Sequence, residues 1–354
     1  MKIPVQARPR GIALIVVMIA IFVLSVMAAE FALSMKVEIK LAQNAGNEEQ
    51  LLWLGRSGVE LARWVLAQEK CPYDSLNQIW AGGPGADCET NSPLAGISLD
   101  NYQIGDGTVS VKIIDLERKM NINTASPAVL QQTFNLMGVS PDQMAIVSDS
   151  ILDWISPAKG PRLSGAESDY YQRSTPPYYA KNAPIDDLSE LLLVRGIAEH
   201  PEIYWGGSAS NHPPAGFQHK LGFGTAFNRA PDYPFGLVDV FTPLSNGKIN
   251  INTADANVLQ MIPGVDEAMA QNIIKVRNGP DGTGDTPFTS INQLVMAELS
   301  PQLVNQLSRI CTVQSSTFEV HVTARIGDSK REYIGILFRN SGADSQVLSF
   351  YWKQ

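Results

Sequence analysis

Four carboxylates in one stretch are the residues whose types and spacing could do chemistry. Asp149 and Asp153 lie four apart in a helix-forming segment, hence on one face, and Glu167 and Asp169 follow a loop that could fold back onto them. Oxygens gathered this way suit Ca²⁺, which takes carboxylates and loop carbonyls in flexible geometry. The competing reading is a solvated acidic face with one aspartate capping a helix. A second acidic loop, Asp281-Gly282-Thr283-Gly284-Asp285, reads as a turn. No catalytic set accompanies these groups. His200, His212, His219 and His321 lack metal-like spacing. There is no Cys-x-x-Cys, no Gly-x-Gly-x-x-Gly or Walker pattern, and no serine in a Gly-x-Ser-x-Gly setting. The chain reads as a non-enzyme.

The net charge of −8 argues against nucleic acid as a partner, because neutralising phosphates needs clustered Lys and Arg. With 18% charged residues, 28 Gly and 22 Pro, the chain is a loop-rich globular protein with room for one large or two modest domains. An oxidising compartment would permit a disulfide. Cys71 and Cys88 bracket a short Gly/Pro-rich loop and are the natural pair, leaving Cys311 as a buried free thiol.

These groups must be held by elements that begin at the N-terminus. From Ile12 to Ala29 there is no charge; Lys2, Arg8 and Arg10 precede the run and Glu30 follows it. About 18 apolar residues just suffice to cross a bilayer core, and the basic flank would keep the N-terminus cytoplasmic, with everything beyond residue 35 on the far side. Three readings compete: a cleaved secretory signal, an uncleaved anchor, and a prepilin-type leader cut between Gly11 and Ile12 with the helix retained. Residues 30–70 contain no proline, and Leu51, Leu54, Gly58, Leu61 and Val65 recur at helical steps. One helix is therefore expected from Ile12 to Gln68, roughly 85 Å long at about 1.5 Å per residue, ended by Pro72, with Gly46, Gly55 and Gly58 as points where it could bend or break. This continuity favours the third reading.

Further on, Tyr102 to Asp115 reads as a β-hairpin turning around Gly105-Asp106-Gly107. An internal repeat follows. Asn121-Ile122-Asn123-Thr124-Ala125-Ser126-Pro127-Ala128-Val129-Leu130-Gln131 returns as Asn250-Ile251-Asn252-Thr253-Ala254-Asp255-Ala256-Asn257-Val258-Leu259-Gln260, identical at eight of eleven positions. Each Asn-Thr-Ala is expected to cap the following helix, and each copy continues as helix, turn and helix, with a longer turn in the first. Pro184 to Leu191 and Phe288 to Leu294 resemble the close of such hairpins. The plan resembles the helix-hairpin-helix of DNA-binding proteins, but Pro263-Gly264-Val265-Asp266-Glu267 puts carboxylates where a phosphate would come, and Met137 to Asp142 has no basic residue. After Cys311, Thr317–Arg325, Glu332–Phe338 and Gln346–Trp352 read as antiparallel strands.

Gly11 before an apolar helix that becomes amphipathic resembles the type IV pilins and type II secretion pseudopilins. Val16 stands at the fifth position after the cut, where most members carry glutamate; that departure resembles the minor pseudopilin K family (general secretion pathway protein K). Leu152-Asp153-Trp154, the Gly165-Ala166-Glu167 to Tyr170-Tyr171 stretch, Ser189-Glu190-Leu191 to Gly196 and both Asn-Thr-Ala copies add to it. The resemblance implies an α+β, pilin-like fold, a long N-terminal helix packed on an antiparallel sheet, with a large mainly α-helical insertion containing two helix-hairpin-helix-like repeats. The expected division is a leader at 1–11, a transmembrane part at 12–35, stalk helix, loop and first strands at 36–115, the insertion at 116–310 and C-terminal strands at 311–354. It further implies a methylated, single-pass inner-membrane subunit with its body in the periplasm, at the tip of the secretion pseudopilus. Its partners would be minor pseudopilins I and J, the major pseudopilin and the prepilin peptidase. Calcium is implied in the region of Asp153, Glu167 and Asp169, although Ser156 replaces an acidic residue common there. The alternative is a membrane-tethered helix-hairpin-helix DNA-binding protein.

Overall fold

A single helix, α1 (Ile12–Gln68), runs through the first fifth of the chain without a break. The computed structural model describes residues 12–89, 93–94, 96–157, 160–206, 233–280, 282, 286–341 and 344–353. The N-terminal half of α1 is long and apolar enough to cross a membrane, and its large side chains, such as Leu14, Phe22, Phe31 and Leu41, are exposed. From Leu51 the same helix becomes one wall of a core.

The opposite wall is a five-stranded antiparallel sheet in the order β1-β2-β7-β8-β9. Its strands are β1 (Tyr102–Ile104), β2 (Gly107–Asp115), β7 (Thr317–Ile326), β8 (Ser329–Ser341) and β9 (Asp344–Trp352). The β1–β2 hairpin turns at Gly105-Asp106. Val109, Val111 and Ile113 of β2 sit opposite Ala324, Val322 and Val320 of β7, and all six are buried. Side chains alternate faces along a strand, so this register presents one apolar surface to Leu51, Leu54, Val59, Ala62, Val65 and Leu66 of α1.

The glycines of α1 are crossing points, not breaks. A Cβ added at Gly58 would lie 2.4 Å from Val322 Cγ1, and one at Gly55 2.4 Å from the Tyr333 ring. The missing side chains let the helix backbone approach the sheet, and continuous i→i−4 hydrogen bonding tolerates them there. Gly46 has no neighbour within 4 Å and has no such role.

Between β2 and β7 lies the helical module. Its main helices are α2 (Pro127–Met137), α3 (Pro141–Ile155), α4 (Ala256–Gln260), α5 (Glu267–Asn278) and α6 (Pro301–Leu307). They share one core with Ile122, Phe134, Trp154, Leu191, Phe241 and Phe288. Two short parallel strand pairs brace it: β3 (Met120–Asn121) with β4 (Phe241–Thr242), and β5 (Ile249–Asn250) with β6 (Cys311–Thr312). The body's sheet therefore resumes at Thr317 and not at 311, because Cys311 and Thr312 are hydrogen-bonded into the module.

The body has two distinguishable ends. Asn47 and Glu48 of α1 meet Ser329 and Arg331 at the β7–β8 turn. The module leaves β2 at Asp115 and enters β7 at Thr317, the end reached by the last turn of α1 and farthest from the apolar segment.

Two substitutions in α1 should have opposite signs. Gly46→Ala should stabilise the protein by about 0.5–1 kcal/mol through helix propensity. Gly58→Ala gains the same propensity but must displace Val322, and overpacking costs about 1–3 kcal/mol. Its thermal midpoint should fall while that of Gly46→Ala rises.

Candidate functional site

The two sequence repeats build the same device twice. The side chain of Asn121 accepts from Asn123 N at 2.9 Å, and that of Asn250 accepts from Asn252 N at 2.9 Å. Asn123 then forms a two-point bond with the backbone of Ile185: its amide donates to the carbonyl at 2.9 Å, and its oxygen accepts from the N–H at 2.7 Å. Asn252 does the same with Phe288, both bonds at 2.9 Å. Each Asn thus reads a peptide group far along the chain, and Pro184–Leu191 and Phe288–Leu294 are the segments so captured. Their own turns are capped alike, by Asp187 onto Ser189 N and by Ser290 onto Asn292 N.

The helix caps lie further along than the Asn-Thr-Ala reading placed them. Ser126 caps α2 through Val129 N, and Asp255 caps α4 through Val258 N. The hairpins themselves match, Gly138-Val139 and Gly264-Val265, with each glycine at positive φ and each valine buried. The extra residues of the first copy lengthen α2 and leave the turn alone.

Neither hairpin is arranged for phosphate. The second presents Asp266, whose carboxylate accepts from Met269 N at 2.8 Å and occupies the free N–H groups that a phosphate oxygen would need. Lys275 and Arg277 lie in the last turn of α5, and Arg277 is buried, donating to the Ile251 carbonyl at 2.6 Å.

Where module meets body, polar groups close into a buried knot. Asp115, at the end of β2, accepts from Thr253 Oγ at 2.5 Å, Ser315 Oγ at 2.7 Å, Asn250 Nδ2 at 3.2 Å and Glu117 N at 2.8 Å. Glu117 accepts from Ser316 Oγ at 2.8 Å and Thr317 N at 3.0 Å. Asp74 accepts from Ser315 N at 2.7 Å and from Arg339. All three carboxylates are buried. Burial first, and then the charge of Glu117, push Asp115 up to about 8 against the hydroxyl donors. Burial also raises Asp74, opposed by Arg339. The sequence hint was slight: an aspartate closing an apolar strand, with a glutamate two residues on.

The carboxylates expected as calcium ligands do not form a set. Asp153 is 2% exposed; Oδ1 pairs with Arg162 Nη1 at 2.6 Å and Oδ2 accepts from Arg162 N at 3.0 Å. Asp149 accepts from Ser164 N at 3.0 Å. Glu167 stands at the start of a one-turn helix, Ser168–Tyr171, without a side-chain cap bond, and Asp169 is exposed. Among the described residues no three acidic, histidine or cysteine side chains converge to hold a metal. A guanidinium occupies Asp153 where a cation was expected, and the residues present do not fit calcium in this arrangement. The surrounding motif is a packing element: Trp154 meets the buried Tyr171 edge-on at 5.2 Å, and a Cβ on Gly165 would lie 1.9 Å from Asp153 Oδ2.

Cys71 and Cys88 form a disulfide, and Cys311 is a buried free thiol whose pKa burial pushes up to about 12. His200 and His321 pair with nearby glutamates, Glu202 and Glu319. Gly11, His212, His219 and most of the 281–285 loop lie outside the described residues; Ile12 is the first residue of α1.

A family model described as type II secretion system (T2SS), protein K matches residues 110–202, from within β2 through the first repeat unit. One described as a helix-hairpin-helix motif matches 245–312, the second unit. Type II secretion system protein K of Pseudomonas aeruginosa is 22% identical over 353 residues, covering 96% of this chain and 91% of that protein. That of Aeromonas hydrophila is 21% identical over 369 residues, covering 98% and 97%. The crystal structure of the GspK-GspI-GspJ complex from the enterotoxigenic Escherichia coli type 2 secretion system contains a chain of like fold, with a TM-score of 0.59 at 18% identity, covering 88% of this chain and 99% of that one.

Two outcomes follow from the geometry. Asn252→Ala leaves the Phe288 N–H and carbonyl without partners, and at about 1–3 kcal/mol per buried unsatisfied group it should cost about 2–6 kcal/mol in denaturant unfolding. Millimolar calcium should leave the thermal midpoint of the protein unchanged; a rise of several degrees would mean that calcium displaces Arg162 from Asp153.

Proposed function

We propose that this chain, whose sequence and fold are those of the type II secretion protein K family, is the minor pseudopilin at the tip of a type II secretion pseudopilus. It would take part in assembling the pseudopilus and thereby in exporting folded proteins across the outer membrane. The observation that carries this reading is the position of the module. It stands on the end of the body farthest from the apolar half of α1, where a further subunit stacked on the same axis would collide with it. A filament end is the one place where such a mass meets no neighbour above.

The apolar half of α1 has two successive uses in this reading. It first holds the chain in the inner membrane with the body in the periplasm, where a disulfide is stable. After the prepilin peptidase cuts between Gly11 and Ile12, the same helix joins the filament. Val16 leaves this chain without the fifth-position carboxylate that would answer the terminal amine of a subunit above, as suits a first subunit. Minor pseudopilins I and J are the partners by analogy with the complex of like fold, and the major pseudopilin follows below them. The role is assembly and not catalysis. DNA binding is disfavoured, because the hairpin that would grip a phosphate already has Asp266 on its amides.

N-terminal sequencing of the mature protein should begin at a methylated Ile12, and co-expression with I and J should yield one complex that purifies together. A start at Glu30, or an intact Met1 in cells with an active prepilin peptidase, would sink the reading.

A further inference from the structure

α1 carries a second stripe of side chains that the core of the body does not use. Glu49, Leu52, Trp53 and Arg56 stand three and four apart, hence on one face of the helix, and all four are exposed. Beside them lies β9, the free edge of the sheet. Residues directly across a strand pair share a face. Phe350 and Trp352, opposite Gly335 and Tyr333, therefore lie on the face that α1 packs against. The helix does not reach far enough to cover them: Trp352 is 55% exposed, and Trp53 of the helix 58%. Between helix and edge strand runs a groove of about 630 Å³, lined by Glu49, Leu52, Arg56, Tyr333, Phe350 and Trp352.

The charges in this groove are unevenly satisfied. Arg331 pairs with Glu48 at 2.9 Å. The Arg56 guanidinium instead lies over two rings, 5.2 Å from the Trp53 centroid and 5.9 Å from that of Phe350. Ring faces hold a cation in place and leave its N–H groups free to donate at their edge. Among the described residues neither Arg56 nor Glu49 has a partner of opposite charge. The two are seven residues apart, about 10 Å along the helix.

We propose that this groove seats an amphipathic helix of another pilin-like subunit, its apolar face inward, a carboxylate against Arg56 and a basic residue about two turns away against Glu49. The inference rests on the reading above that the chain assembles with such subunits. Three observations choose the occupant. The groove opens at Ala45, just beyond the exposed Val37, Ile39 and Leu41 of α1, so one helix can lie along both without leaving an apolar surface. It lies at the end of the body marked by Glu48 and Arg331, away from the module, where a neighbour alongside meets no obstruction. A register shift between Ile336 and Leu337 leaves Leu348 of β9 without an opposite residue, and such a bulge interrupts the edge that an added strand would need. A second copy anchored in the same bilayer would lie parallel at the same height and set Arg56 beside Arg56. Tryptophan and arginine are the side chains that most often carry the energy of an interface, and here both stand on one helix, with a further tryptophan across the groove.

The full-length protein would be co-expressed with minor pseudopilins I and J, carrying a photo-crosslinking phenylalanine analogue at position 351, and recovered in detergent. Irradiation should join position 351 to a helix of another subunit, at a segment with a carboxylate among apolar residues. Arg56→Glu and Trp352→Asp should each lower recovery of the partners by about tenfold or more, with the thermal midpoint of this chain alone unchanged. Lysine in place of the facing carboxylate should restore recovery with Arg56→Glu. A crosslink only to a second copy, no crosslink at 351, or undiminished recovery with both variants would overturn the proposal and leave the assembly reading standing. No complex with the native chain would reject both. Should a variant lose its fold, the crosslink, which leaves Arg56 and Trp352 native, decides.

Discussion

The architecture depends on one polar contact, the buried carboxylate of Asp115 and the donors gathered on it. Thr253 and Asn250 come from the module, Ser315 from the segment that re-enters the body, and the Glu117 amide from the segment that leaves it. A buried acid is costly unless its oxygens are answered, and leaving a buried polar group without its partner costs about 1–3 kcal/mol. This makes the knot directional in a way that an apolar contact is not: the module has one seating in which all these bonds close. Asp74 and Glu117 extend the same logic to the disulfide loop and to the first residue of β7.

Within the module, specificity rests on two asparagines. Asn123 and Asn252 each take both hydrogen-bonding groups of one distant residue, so each repeat unit is closed by side-chain recognition of backbone as well as by a two-residue strand pair. The second copy of the motif serves both purposes at once. Its Asn250 belongs to the knot, its Asn252 to the internal closure. Sequence identity between the copies therefore conceals a division of labour set by position.

Much of this was legible in the residues. The helix from Ile12 to Gln68 followed from the absence of proline and the spacing of Leu51, Leu54 and Val65, and the strands followed from their alternation. The repeat announced a duplicated unit. What misled was local reading of residues whose partners are remote. Asn-Thr-Ala looks like a cap because capping is what Asn and Thr do to the next few amides, whereas here the partners lie 62 and 36 residues away. The glycines of α1 looked like weak points because nothing in a linear sequence reveals Val322 or Tyr333 opposite them. Asp153 looked like a cation ligand because it is acidic and near other acids; its cation is Arg162, nine residues on. The knot was the least legible feature, since it joins four separate segments through single polar residues.

The module enters and leaves the body through neighbouring antiparallel strands, at Asp115 and Thr317, which sit side by side at one end of the sheet. Tension applied along α1 is consequently borne by the helix and by the strands packed beneath Gly55 and Gly58, and passes out of the body without crossing the module. The module hangs on the load path as a pendant does on a chain. Pulling or pushing the shaft can move it as a rigid mass while leaving its two closures, and whatever surface it presents, mechanically undisturbed.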